Sequence, residues 1–337
     1  MMRMQPHLIN FSNNFFSKLN MQYSIGIDIG GTNSVMGIVD KMGNILFEAE
    51  LNTRDYEFLE DFVEASYKVL YPQINKFGFN EFRGIGIGAP NGNYYQGTIE
   101  FAPNLRWKGV LPLAKLFNER FNLETTVTND ANAAAIGEMM HGAAKGMSDF
   151  IMVTLGTGVG SGFVANGKMI YGHDGFAGEL GHTIAVRDGR ICGCGRKGCL
   201  ETYTSATGIV RTANEFLETK NTTSSLRNLA VISSKDIYDA AVNGDFLALE
   251  IFEFTGKILG QSLADAIAIT SPEAIILFGG LAQAGKFIFE PTRKYMEQNL
   301  LKIYQGKVKL LPSELKESDA AILGAASLIW NTEKILL

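Results

Sequence analysis

The sequence predicts an α/β protein made of two duplicated domains. Strands and helices alternate along most of the chain, and a strand–glycine turn–strand–turn–strand unit beginning at Tyr23 returns at Phe150. A length of 337 residues accommodates two domains of ordinary size, each with its own core. With 46% hydrophobic and 19% charged residues, the composition is that of a globular chain, neither fibrous nor disordered.

The elements follow in order. An apolar run from Tyr23 to Ile29 breaks at Gly30-Gly31, a second runs from Ser34 to Val39, and a third follows the turn at Lys41–Asn44. Tight turns between short apolar runs make these three strands. Phe58, Phe62, Ala65, Val69 and Leu70 recur at helical spacing and predict a helix over 56–76. Arg83–Gly88 reads as a buried strand, 112–121 as a helix, Thr125–Thr128 as a short strand and Asp130–His141 as an alanine-rich helix. The opening pattern then repeats, with strands over 150–155 and 160–165, a turn at Asn166-Gly167 and a further strand. Beyond the cysteines the chain is mostly helical, with its longest periodic segment at 246–269, a strand at 274–278, a helix over 286–300, a strand at 308–311 and a last helix over 320–330. The polar stretch 221–234 is expected to be a flexible surface loop.

These elements divide the chain into a first α/β domain over 21–130, with a terminal helix in 319–337 returning to pack on it, and a larger second domain over 131–318. Residues 1–20 are expected to be a disordered extension.

Composition narrows the function. The net charge is −5 and no long lysine or arginine run occurs, so a nucleic-acid surface has little support. No apolar stretch of about 18 residues is present to span a bilayer. The apolar residues before Met21 are interrupted by Asn, Ser and Lys and make no signal-peptide core, so the cytoplasm is the expected location.

Two loops carry the chemistry. In Asp28-Ile29-Gly30-Gly31-Thr32-Asn33 a carboxylate closes a strand and two glycines turn the backbone, whose N–H groups can bind a polyphosphate such as that of ATP. Asp28 is placed to hold Mg2+ against phosphate oxygens. Leu155-Gly156-Thr157-Gly158-Val159-Gly160 repeats this chemistry, and the strand ending in Phe278-Gly279-Gly280 offers bare backbone for an adenine and ribose. Neither loop has the Walker spacing or opens into a long helix as a dinucleotide site would. Two such hairpins facing each other across a cleft resemble the arrangement of sugar kinases and actin, the ribonuclease H-like, actin-like ATPase fold.

Three cysteines, Cys192, Cys194 and Cys199, cluster within eight residues. An odd, clustered set argues against a disulfide framework and for a metal. With one histidine it makes a Cys3His set for a closed structural zinc. His182 and His173 both lie near enough in sequence to be the fourth ligand.

The motif Gly178-Glu179-Leu180-Gly181-His182, followed by Cys192-x-Cys194-Gly195-x-x-Gly198-Cys199-x-Glu201, resembles the ROK family of repressors and sugar kinases. The resemblance runs from Tyr23 to about Trp330 and includes Asp28–Asn33 and Asn129-Asp130-Ala131-Asn132-Ala133. It implies an ATP:hexose phosphotransferase, with glucose as first substrate and N-acetylmannosamine, N-acetylglucosamine or fructose as alternatives. By the same resemblance Asp130 is the base that takes the proton of the sugar hydroxyl. Asn104, Asn129, Glu179, His182 and Glu201 bond the other hydroxyls, and His182 shares its second nitrogen with zinc. A homodimer is implied as well. An aspartate at 130 also suits a helix N-cap. The chain departs from the family at Gly88-Ala89-Pro90-Asn91-Gly92, where Pro-Gly is common. Family repressors carry a helix-turn-helix domain ahead of the first loop; here 27 residues precede Asp28, which favours the kinase.

Overall fold

The computed structural model describes residues 21–331; the extension expected over 1–20 lies outside the described residues. The chain forms two units, one running to Gly137 and resuming at Ser318, the other Glu138–Glu317.

In the first unit β1 (Tyr23–Ile29), β2 (Asn33–Asp40) and β3 (Ile45–Asn52) form an antiparallel meander, and α1 (Leu59–Phe77) leads to β4 (Phe82–Gly88), parallel to β1. Three short strands follow, β5 (Gly92–Asn93), β6 (Thr98–Glu100) and β7 (Val110–Leu111), then α2 (Leu113–Phe121) and β8 (Thr125–Thr128), giving the sheet order β3-β2-β1-β4-β8. The helix α3 (Asp130–His141) crosses from the first unit to the second.

The second unit repeats the plan. β9 (Phe150–Leu155), β10 (Val159–Ala165) and β11 (Lys168–Met169) form its meander. The helices α4 (Glu201–Thr204), α5 (Ala206–Thr219), α6 (Ser234–Val242) and α7 (Phe246–Thr270) precede β12 (Ala274–Phe278), and α8 (Lys286–Asn299) leads to β13 (Lys309–Pro312). Its strand order, β11-β10-β9-β12-β13, is that of the first sheet, and the parallel and antiparallel pairs match.

The alternation of isoleucine and glycine in β1 and β4 has a packing cause. Ile25, Ile27, Ile85 and Ile87 are fully buried. Gly26 and Gly86 belong to the opposite face, on which α9 (Glu317–Asn331) lies so closely that an added Cβ would stand 2.1 Å from the carbonyl oxygen of Ile322 or 1.9 Å from that of Ala325. Arg83 Nε donates to the Ile329 carbonyl at 2.9 Å and Trp330 Nε1 to Ser24 Oγ at 2.9 Å, fixing the far end of the helix. The second unit uses the same device between α7 and α8, where Gly256 and Gly260 admit Pro291 and Thr292.

The stretch 221–234 departs from the flexible loop expected. Ser224 caps a 3-10 turn over Ser225–Asn228, Leu226 is buried, and Asp245 accepts from Ser224 Oγ and the Ser225 N–H at 2.9 and 2.7 Å. The same aspartate caps α7, so one carboxylate orders both segments.

Candidate active site

In the first unit the β1–β2 turn is closed by the Gly30 N–H on the Asn33 carbonyl at 3.0 Å, leaving Thr32 and Asn33 exposed. Thr53 N–H donates to the Thr32 carbonyl at 2.7 Å, and Arg54 Nε reaches the Gly31 carbonyl at 3.4 Å. Gly31 abuts Asn104, since a Cβ on it would stand 2.6 Å from the Asn104 carbonyl oxygen. The segment carrying Asn104 has no regular structure and is held by side chains: Lys108 Nζ donates to the Leu105 and Pro103 carbonyls at 2.6 and 3.2 Å, Arg106 to the Arg54 carbonyl at 2.8 Å, and Trp107 Nε1 to the Tyr56 carbonyl at 3.1 Å. Sequence reasoning missed Lys108, which looks like any surface lysine until its carbonyl partners are seen.

Asp28 and Asp130 come together around Gly88. A Cβ on that glycine would lie 3.1 Å from Asp28 Oδ1 and 3.6 Å from Asp130 Cα. Burial, and secondarily the Asp130 charge, raise the Asp28 carboxyl from 3.8 to about 7. Asp130 is open to solvent yet densely surrounded by protein, and that desolvation raises its carboxyl too. Asp130 is not the helix cap: Asn129 Oδ1 accepts the Asn132 N–H at 2.7 Å, while Asp130 Oδ1 accepts the adjacent Ala131 N–H at 2.8 Å. The cap falls to Asn129 because the side chain preceding the first helical residue faces the free N–H groups.

At Ala89–Gly92, where the chain departs from Pro-Gly, the backbone makes a closed turn. Gly92 N–H bonds the Ala89 carbonyl at 3.0 Å, and Asn91 takes φ 52°, the left-handed value a glycine would supply. Asparagine tolerates it best among the larger residues, and its Nδ2 is held by the Glu100 carbonyl at 2.9 Å.

The second unit holds the matching loop. Gly156 N–H bonds the Gly158 carbonyl at 3.1 Å, and the exposed Thr157 is fastened through its carbonyl to Thr207 Oγ1 at 2.9 Å. Gly279 has φ 95° and packs on Leu155, the residue before this loop, whereas space at Gly280 is open. The two glycine turns anticipated for nucleotide are therefore neighbours within this unit.

His182, Cys192, Cys194 and Cys199 present ligand atoms all within 4.8 Å of one another; His173 is not part of the group. Cys194 Sγ and Cys199 Sγ are 3.6 Å apart, and Cys192 Sγ and His182 Nδ1 3.7 Å. A tetrahedral zinc with Zn–S of ~2.3 Å needs ligand edges of about 3.5–3.8 Å, so the donor set fits that ion. Burial pushes the Cys192 thiol up, so taking up a cation there displaces a proton. His182 Nε2 points the other way, 4.0 Å from Glu179 Oε2, and Glu201 Oε1 is 3.0 Å from Cys192 Sγ.

The stem of this loop is anchored by a residue that sequence reasoning missed. Arg190, buried, donates to Glu215 Oε1 at 2.8 Å, to the Thr202 and Gly208 carbonyls at 2.7 and 3.2 Å and to Thr212 Oγ1 at 3.0 Å. Its guanidinium also lies 4.3 Å from the centre of the Tyr203 ring.

Comparison with known proteins decides the family, because the ROK family profile matches residues 24–332. The chain belongs to the ROK family. It is 35% identical to the glucokinase of Thermotoga maritima over 311 residues, 90% of this chain and 96% of that one. It is 29% identical to the xylose repressor of Caldicellulosiruptor bescii, covering 90% of this chain and 77% of the repressor. Among solved structures, a ROK family glucokinase from Streptomyces griseus in complex with glucose and AMPPNP aligns with TM-score 0.74 and 34% identity, over 91% of this chain and 98% of that one. The fold is thus the mixed α/β fold of ROK sugar kinases, of the actin-like ATPase type.

Proposed function

We propose that this ROK protein transfers the γ-phosphoryl group of ATP to the 6-hydroxyl of glucose. The observation that carries the chemistry is Asp130: a solvent-open carboxylate held by one oxygen at the head of α3, its pKa raised by the desolvation of the surrounding protein. The glucokinase relatives and the glucose–AMPPNP complex support the choice of substrates.

In this reading the sugar hydroxyl attacks the γ-phosphorus, the bond to the ADP oxygen breaks, and Asp130 takes the hydroxyl proton. A carboxyl raised by desolvation is a better acceptor than one in water. Asn104, Asn129, Glu179, His182 and Glu201 pair the remaining hydroxyls, which are costly to leave unpaired on burial. Gly30, Gly31, Thr32 and Asn33, with Thr157 and Gly158, offer donors to the phosphates, and Gly279 and Gly280 would give bare backbone to the nucleoside. Asp28, made uncomfortable by burial and a neighbouring carboxylate, is the residue suited to hold Mg2+, which neutralises phosphate charge when bound. Zinc held by His182, Cys192, Cys194 and Cys199 would fix the His182 ring so that Nε2 is free for the sugar.

The protein is read as a cytoplasmic homodimer acting on small molecules; sedimentation as a monomer at micromolar concentration would remove the dimer. The decisive test is ADP release across a panel of hexoses and N-acetylhexosamines, on wild type and Asp130→Asn. Glucose should turn over fastest and the variant should lose at least about 100-fold in kcat. No turnover with any sugar would refute the kinase, and a different preferred sugar would refute glucose.

A further inference from the structure

Gly158 sits in a loop whose obvious partner is phosphate, but what occupies the space beside it is a carboxylate. A Cβ on Gly158 would stand 2.8 Å from Glu201 Oε2 and 3.9 Å from Glu201 Cδ, with no other heavy atom within 4 Å. The glycine does not have a positive φ, so the backbone does not demand glycine there. The only thing an alanine would meet is the tip of one flexible side chain. On its other side Oε1 lies 3.0 Å from Cys192 Sγ and 3.8 Å from His182 Nδ1, so the cluster limits its retreat, and the Glu201 backbone starts α4, where its carbonyl accepts from Ser205 Oγ at 2.7 Å.

We infer that Gly158 is a positioning residue for sugar recognition: its missing side chain makes the slot in which the Glu201 carboxylate stands. The inference rests on the proposed role of Glu201 as a sugar ligand. It gives the second phosphate loop a task on the acceptor side that its glycine-rich pattern does not announce. The first unit offers a parallel in Gly31 against Asn104, but there the obstructing atom is a backbone carbonyl, so a substitution would strain the fold as well. At Gly158 the carboxylate alone has to give, and the two effects separate.

The test is glucose binding by calorimetry to the full, zinc-replete chain without nucleotide. It compares wild type, Gly158→Ala, Glu201→Ala and the double variant, with thermal unfolding as the control for the fold. Displacing a charged hydrogen-bond acceptor should weaken glucose binding roughly tenfold or more in Gly158→Ala. The double variant should be no worse than Glu201→Ala. Wild-type glucose affinity in Gly158→Ala, beside a weakened Glu201→Ala, overturns the inference and leaves the sugar role of Glu201 standing. Full additivity in the double variant overturns it too, because Gly158 would then act by another route. Wild-type affinity in Glu201→Ala removes the sugar role itself and the inference with it. A Gly158→Ala chain that fails to fold also counts against it, since only a side-chain tip stands in the way.

Discussion

The raised carboxyl of Asp28 makes a sharp prediction about stability. In an unfolded chain this group ionises near 3.8 and in the folded protein near 7, so between those values the native state holds a proton that the unfolded state has released. Stability must therefore fall as pH rises through this window and level off above about 7. The difference of roughly three pKa units corresponds to about 4 kcal/mol at most. Replacing Asp28 by Asn keeps the shape and removes the charge. The variant should thus be more stable than wild type at pH 8, by up to about 4 kcal/mol, and nearly equal to it at pH 4. Urea denaturation without nucleotide or Mg2+ at a series of pH values measures this directly. A stability gap between the two chains that does not change from pH 4 to 8 would refute the claim that Asp28 carries the strain. The same variant should lose kinase activity, so stability would be gained where function is lost.

Three other perturbations have definite outcomes. Metal analysis should find about one zinc per chain, falling in Cys194→Ser together with glucose affinity; undiminished affinity in metal-free protein would refute the tie between zinc and His182. Arg190→Leu removes a buried network of charged hydrogen bonds and should cost about 2–4 kcal/mol, read by thermal unfolding. Arg190→Lys should restore little of that, because one ammonium cannot reach the same set of acceptors. Gly86→Ala would place a methyl 1.9 Å from the Ala325 carbonyl oxygen, so unfolding should come earlier by about 3 kcal/mol or more; wild-type stability would mean that α9 does not lie against β4.

Much of the frame was legible because its signals are local. Thr125–Thr128, Asp130–His141 and Ala274–Phe278 begin and end where apolar periodicity and turn residues say they should. The short strands β5, β6 and β7 went unseen, since two or three residues carry no period. The stretch 221–234 looked loose because what orders it, Asp245, lies 20 residues from Ser225. The metal cluster was readable from its spacing, yet choosing His182 over His173 took either a resemblance or coordinates. Arg190 and Lys108 were invisible for a plain reason: a basic side chain reads as solvated until the folded loop turns carbonyls towards it. The assignment of the α3 cap to Asn129 turned on a shift of one residue, finer than sequence pattern resolves.

The Arg190 anchor separates the root of the cysteine loop from its tip. None of its hydrogen bonds uses a metal ligand, so the base of the cysteine loop closes on α4 and α5 whether or not an ion has arrived. A metal held there would act on a short tip already fastened at its root. A chain stripped of metal should then keep the fold of this unit and lose order only at the tip.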